Sequence, residues 1–384
     1  MPTAQPFHIL HVTASLKGGA AQHVLHLSKN LNKNGCITAI AAPDDNAPLR
    51  AIIESFGIKF YPVSLDAKLP LDAVISLRSI LENNSWTHVH CHGHRAALIA
   101  RIASRLLWSP MPMIYTVHGY HPAHYPDPVA KLWVNATERF LSRWTDAFIC
   151  VSRSTQDELI EAIPEASAKT TVIENAIPFK RLSDVVRKHI NLEIRDTYNI
   201  PHDVFVIGAV CRLQWQKSVS RLIRAFRILL DSYDDIYLLL VGDGPRRQLL
   251  ETLVESLQIS DRCIFTGNLP EATMLYPAMD LCVLPSLWEG LPLTVLEAWA
   301  AETPVIATNV PGSFDLIKHD YNGYLAKNNI IGIADEIKKS REAWDSIPGI
   351  IKNAWDTLEK YHDLAGMTAL TEQVYCNTLK LLDK

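Results

Sequence analysis

Residues 281–309, LCVLPSLWEGLPLTVLEAWAAETPVIATN, decide how the chain is read. LCVLPS and PVIATN are short apolar runs of the kind that form strands buried on both faces. LWEG is a loop, and PLTVLEAWAA a helix with Pro292 in its first turn. Strand, helix and strand in so few residues make a parallel crossover unit. The segment also sets Glu289 just before the helix and Glu297 inside it. A helix start offers unbonded N–H groups, here of Leu293, Thr294 and Val295, and a partial positive charge that favours a phosphate. Carboxylates beside a phosphate would repel it, so Glu289 and Glu297 are expected to accept hydrogen bonds from neutral hydroxyls on either side of it. A sugar nucleotide has that order of groups.

The same alternation extends outward in both directions. FHILHVTA (7–14), the glycine turn SLKGGAAQ and the helix HVLHLSKNL open the first half. VFVIGAV (204–210), the loop CRLQWQKS and VSRLIRAFRILL open the second, followed by strands at IYLLLVG, CIFTG, LCVLPS, PVIATN and GYLA. At 384 residues the chain exceeds what one core organises. The reading is therefore α/β, with two doubly wound, Rossmann-like parallel-sheet domains. Their boundary falls near NAIPFKRLSD (175–184), giving domains 1–178 and 179–354 and terminal helices over 355–384. Ligands of such domains bind at the carboxyl ends of the strands, and two domains facing each other would hold the site in the cleft between them.

Composition narrows the function classes. A net charge of -4 gives no general attraction to nucleic acid, and none is expected as a partner. No apolar run approaches a membrane span, and MPTAQPFHIL lacks the basic-then-apolar layout of a secretory signal, so a cytoplasmic protein is expected. Seven scattered cysteines without a CxxC pair read as reduced core residues. The diphosphate of a sugar nucleotide needs cations, and Arg212 and Lys217 follow the first strand of the second half directly.

CRLQWQKS, LLLVGDGPRRQLLE, DRCIFTGNL and LPSLWEGLPLTVLEAWAAETPVIATNVPG together resemble the nucleotide-binding domain of retaining glycosyltransferases of family 4, which have the GT-B fold. GGAAQHVLHLSKNL, VHCHGHRAALIARIASRL, YTVHG, SRWTDAFICVS and VIENAIP extend the resemblance over nearly the whole chain. It implies donor-sugar contact by Glu289, a ribose contact by Glu297, a diphosphate pair in Arg212 and Lys217, and close donor approach at Gly18, Gly19, Gly290, Leu291, Leu293 and Thr294. It makes His118 the first-domain histidine that reaches the transferred sugar, and sends the terminal helices back onto the first domain. His92, His94 and Tyr120 are read as cleft-facing or acceptor-side residues. Ser218 stands where the family usually has glycine, and ENAIP replaces its commoner Asn-Gly motif.

HVHCHGH offers a competing signal. His88, His90 and His92 share one strand face, and with His94, His118, His121 and His124 nearby a metallohydrolase is conceivable, but the run contains no acidic residue. His88 is read as core, and no metal or cofactor is expected. Arg95, Arg101 and Arg105 are read as the solvated edge of a buried helix; with a lipid-linked acceptor that surface would give peripheral contact with the inner face of a membrane. The function expected is retaining transfer of a sugar from a UDP- or GDP-sugar to a glycan or lipid-linked acceptor. The alternatives are a GT-B epimerase or hydrolase, or a non-catalytic sugar-nucleotide-binding partner.

Overall fold

Parallel pairing runs through both sheets of the computed structural model, which describes residues 6–65, 71–109, 111–120, 124, 127–269 and 271–382. The chain divides into two units, residues 1–178 with 363–384 and residues 179–362. In the first, the strands are β1 (His8–Thr13), β2 (Ile37–Ala42), β3 (Lys59–Pro62), β4 (His88–His92), β5 (Met113–Val117), β6 (Ala147–Cys150) and β7 (Thr170–Val172). They are ordered β3-β2-β1-β4-β5-β6-β7. Helices α1 (Gly19–Lys33), α2 (Ala47–Ser55), α3 (Leu71–Glu82), α4 (His94–Arg105), α5 (Pro128–Leu141) and α6 (Arg153–Ala162) connect them.

Both faces of this sheet are covered, which is why β1, β2, β4, β5 and β6 are buried almost end to end. Leu10, Val12, Val89, Cys91 and Tyr115 pack toward α3 and α4, while Ile9, Ile114 and Ile149 pack with Leu27 and Leu31 of α1. Arg101 of α4, expected at a solvated edge, is wholly buried instead. It donates to Glu138 of α5 at 2.8 Å and to Thr145 at 2.9 Å. Burial alone would raise the Glu138 carboxyl, but the charge of Arg101 and the bond to His94 outweigh it and hold the group below its ordinary value. Losing one partner of such a buried pair costs about 3–5 kcal/mol, so the pair rivets α4 to α5.

The second unit contains α7 (Asp184–Thr197), β8 (Phe205–Val210), α8 (Val219–Leu229), β9 (Ile236–Val241), α9 (Arg247–Ser256) and β10 (Cys263–Gly267). It continues through β11 (Leu281–Leu284), α10 (Leu293–Ala300), β12 (Val305–Thr308), α11 (Ser313–Leu316), β13 (Tyr324–Ala326), α12 (Ile330–Glu342) and α13 (Ile347–Tyr361). The order is β10-β9-β8-β11-β12-β13. The tail differs from the sequence reading: α13 stays with the second unit, and the return begins at Asp363 rather than Trp355. It consists of one helix, α14 (Leu364–Leu382), whose Met367, Val374 and Tyr375 join the core of the first unit. No helix among the described residues is long and apolar enough to cross a membrane.

Alternation places His11 on β1 and His88, His90 and His92 on β4 on the sheet face shared with Ile9. His88 donates from Nε2 to the Tyr375 carbonyl at 3.1 Å, and His90 shares 2.7 Å bonds with the hydroxyls of Tyr375 and Thr116. Burial depresses these rings: His11 titrates at about 3, His23 and His88 at about 4, and His90 and His92 well below the usual range. Unfolded, each would titrate near its ordinary value and bind a proton. Their contribution to stability is thus complete above about pH 6.5 and declines below it by about 1.4 kcal/mol per pH unit for each ring. Chemical denaturation at pH 7 and pH 5 should therefore show a large loss of stability in the first unit; equal midpoints would mean that the rings are solvated in the native state.

Candidate active site

The sheet of the second unit reverses its winding between β8 and β11, which pair directly through Leu281–Ile207 and Cys282–Gly208. Loops leaving the carboxyl ends at such a switch point diverge and leave room for a ligand. Here the loop after β8 carries Arg212 and Lys217, and the loop after β11 carries Glu289. The two are fastened together. The Leu287 N–H donates to the Gln216 carbonyl at 2.8 Å, and Gln216 Nε2 to the Trp288 carbonyl at 2.7 Å. The rings of Trp215 and Trp288 meet edge to face at 5.1 Å. Lys217 Nζ donates to Glu289 Oε1 at 2.5 Å, and Ser286 Oγ to the same oxygen at 2.5 Å.

Glu289 is 7% exposed, and its N–H donates to the Pro311 carbonyl at 3.1 Å. Gly312 closes this support from behind. At φ +80° it adopts a left-handed conformation, and a Cβ there would stand 2.6 Å from the carbonyl oxygens of both Glu289 and Gly290. Ser218, at the position usually glycine in the resembling family, is also left-handed, with φ 48° and ψ 35°. A β-carbon there costs about 1–2 kcal/mol, which the fastened loop sustains.

Glu297 projects from α10, and the buried Tyr276 hydroxyl donates to its Oε2 at 3.0 Å. Burial raises the Glu297 carboxyl above its ordinary value, against the smaller downward pulls of Tyr276 and Lys217. Of the three helix-start amides expected to face a ligand, that of Val295 is occupied, donating to the Pro292 carbonyl at 3.2 Å. Leu293 and Thr294 remain at the first turn, with the buried Gly290 and Leu291 in the loop before it. Arg212 is exposed in its loop. Tyr276, Gln216 and Gly312 were not found from the sequence, because each acts through a contact with a chain segment distant in sequence; Ser286, three residues before Glu289, carries no periodic or turn signal that marks it.

The first unit reverses its winding between β1 and β4. Gly18, at φ +82°, and Gly19 form the turn from β1 into α1, His94 opens α4, and the half-buried His118 lies just past β5. His11 Nδ1 is 3.0 Å from His92 Nε2, and His92 Nδ1 is 3.2 Å from His118 Nε2. A neutral imidazole donates from one nitrogen and accepts at the other, so the three rings form a directional chain ending at His118. His92, expected on the acceptor side, is buried with both nitrogens engaged, and acts on His118 instead. His94 Nδ1 is 2.8 Å from Glu138 Oε1, and the Tyr120 hydroxyl donates to Asn135 Oδ1 at 3.0 Å. His121 lies outside the described residues.

Two trios, His11 with His90 and His92, and His23 with His92 and His118, bring ring nitrogens within 4.8 Å of one another. Both nitrogens of His90 are already bonded, and neither trio includes a carboxylate. A dication buried there would lack charge compensation.

Residues 17–181 match the family model described as Glycosyltransferase Family 4, and residues 191–354 the model described as Glycosyl transferases group 1. The chain is 27% identical over 264 residues to UDP-Gal:alpha-D-GlcNAc-diphosphoundecaprenol alpha-1,3-galactosyltransferase of Escherichia coli, covering 68% of this chain and 67% of that protein. An uncharacterized glycosyltransferase of Methanocaldococcus jannaschii is 26% identical over 358 residues, 90% of each chain. In fold, the chain matches the crystal structure of Anabaena Alr3699/HepE in complex with UDP and glucose, with a TM-score of 0.84 at 20% identity over 97% of this chain and 100% of that one. With a glycosyltransferase model on each of its two parallel-sheet units, the chain belongs to the GT-B glycosyltransferases of the family 4 type.

Proposed function

We propose that the protein transfers a hexosyl unit, with retention and without a metal, from a nucleoside diphosphate sugar to a glycan or lipid-linked acceptor. The observation that carries this reading is the fastening of the Arg212–Lys217 loop to the Glu289 loop at the β8/β11 switch point, beside the start of α10. It holds Lys217 on Glu289 near the start of α10, in the loop that also carries Arg212. The diphosphate would lie against Arg212, Lys217 and the amides of Leu293 and Thr294. Glu297 would accept from the ribose hydroxyls, and Glu289 from the sugar through Oε2, since Oε1 already holds Lys217 and Ser286. UDP or GDP is the proposed nucleotide. UDP is supported by the names of the Escherichia coli relative and of the Anabaena structure, and a lipid diphosphate acceptor by the former.

Breaking the anomeric bond leaves charge on the departing diphosphate. Fixed cations and amides stabilise that charge more in the transition state than in the ground state. Glu289, held by Lys217 and Ser286, is better placed to orient the sugar than to attack carbon, which favours a same-face route in which a donor phosphate oxygen takes the acceptor proton. His118 is the proposed first-unit contact to the sugar, with its proton position set by the histidine chain. The proposed location is the cytoplasm, at the inner face of the membrane where a lipid-linked acceptor would be met.

Arg212→Ala and Lys217→Ala should each lower kcat by about 10²–10³-fold, as loss of one preorganised donor does. Arg212→Ala should leave the melting temperature unchanged, because that side chain is exposed. Near-wild-type transfer by both variants would refute the diphosphate role, and donor consumption without an acceptor would indicate a hydrolase or epimerase. Glu297→Gln separates stability from binding. A carboxyl whose pKa is raised by burial costs stability once pH exceeds its unfolded value, so at pH 7 this variant should melt higher without ligand. It should also show a smaller thermal shift with UDP or GDP than wild type; an undiminished shift would remove the ribose role. Dialysis against EDTA should leave transfer unchanged, whereas loss restored by a divalent ion would move the chemistry to the histidine trios.

A further inference from the structure

Helix α5 presents Val129, Leu132, Trp133, Ala136 and Phe140 at helical spacing along one face, and all five are exposed. Leu132 and Trp133 are 69% and 70% exposed. Such a stripe would ordinarily face a core. The core-facing side of α5 is instead held by the buried Glu138, ion-paired to Arg101, so the helix cannot roll its apolar face inward without breaking that pair. Beyond the helix the patch continues through the Phe140 and Trp144 rings, edge to face at 5.5 Å. Cations border it. Arg143 lies 5.4 Å over Phe140 and Arg105 of α4 5.6 Å over Trp144, while Arg139 is paired with Glu165. The fully exposed Trp108 follows α4 directly.

We infer that this face of α5 docks the protein on an anionic bilayer, with Trp133, Leu132 and Phe140 entering the headgroup boundary and Arg105 and Arg143 contacting lipid phosphates. Aromatic and aliphatic side chains flanked by arginines are the composition that partitions into that interface. A second copy of the chain fits less well, because a two-fold contact would bring the bordering arginines against one another. The inference deepens the lipid-linked acceptor of the proposed function, and it shifts the centre of the membrane surface from α4, whose Arg101 is buried, to α5, keeping Arg105 of α4 at its border.

The test is sedimentation of the full chain with vesicles of phosphatidylcholine alone or with about 30% phosphatidylglycerol, without sugar donor. Wild type should bind the anionic vesicles more tightly. Leu132→Ser with Trp133→Ser should weaken binding by about tenfold or more, and Arg105→Glu with Arg143→Glu should abolish the preference for anionic lipid. Both variants should keep the wild-type thermal shift with UDP or GDP, which separates failure here from failure of the donor reading. No vesicle binding by wild type, or equal binding by the serine variant, overturns the inference. So does concentration-dependent self-association of wild type that the serine variant loses, since the face would then be a contact between copies.

Discussion

Two loops that leave neighbouring strands at a switch point are free to diverge, and the second unit is organised by what prevents it. Lys217 and Glu289, 2.5 Å apart and both mostly withdrawn from solvent, would each be an uncompensated charge without the other. The pair alone would be a poor source of stability, since desolvation offsets much of the attraction. Gln216 supplies the rest through two bonds, from its carbonyl to the Leu287 N–H and from its amide to the Trp288 carbonyl. Backbone of one loop thereby fixes backbone of the other, and the ion pair inherits a geometry it does not have to create. That order suits a site in which a ligand phosphate must share Lys217 with Glu289: the lysine can shift toward the phosphate while the loops stay in place.

Strain and burial in the neighbourhood follow from this constraint. Ser218 accepts a left-handed backbone because Lys217 before it is fixed and α8 begins immediately after it. Gly312 occupies a position where the loop after Pro311 comes close to the carbonyls of Glu289 and Gly290, so a β-carbon there would push the Glu289 loop aside. Tyr276 does for Glu297 what Ser286 does for Glu289: it gives a buried carboxylate one hydrogen bond and leaves its other oxygen for a partner.

The sheets, the order of helices and the charged residues of the second unit were legible because they are local. Period, turn residues and a proline at a helix start report on the ten residues around them, and LCVLPS, PVIATN and CRLQWQKS sit where those signals put them. The supporting contacts were not legible. Tyr276 lies 21 residues before Glu297 and Gln216 lies 72 before Trp288, separations over which periodicity carries no information. Arg101 was misread for a related reason. Arginines spaced along an apolar helix look like a solvated edge until the helix bearing Glu138 is known to cover one of them. His92 was read as a cleft-facing or acceptor residue, yet His11 and His118 take both of its nitrogens.

The two units solve one problem in opposite ways. Around its switch point the second unit gathers charges, each stabilised by a partner of opposite sign or left for a ligand. The first gathers neutral rings, and neutrality is what lets them pack: protonating any of His11, His90 or His92 would bury a cation with no carboxylate in the trio to meet it. Neutral rings are in turn coupled by their tautomers. If His118 accepts at Nε2, His92 must donate from Nδ1 and accept at Nε2, and His11 must donate from Nδ1; reversing one ring reverses all three. The half-buried end of the chain therefore changes its hydrogen-bonding state only together with the buried rings behind it. A histidine so placed can present a donor or acceptor to a sugar hydroxyl without carrying charge, as a site built to recognise neutral hydroxyls beside a charged diphosphate requires.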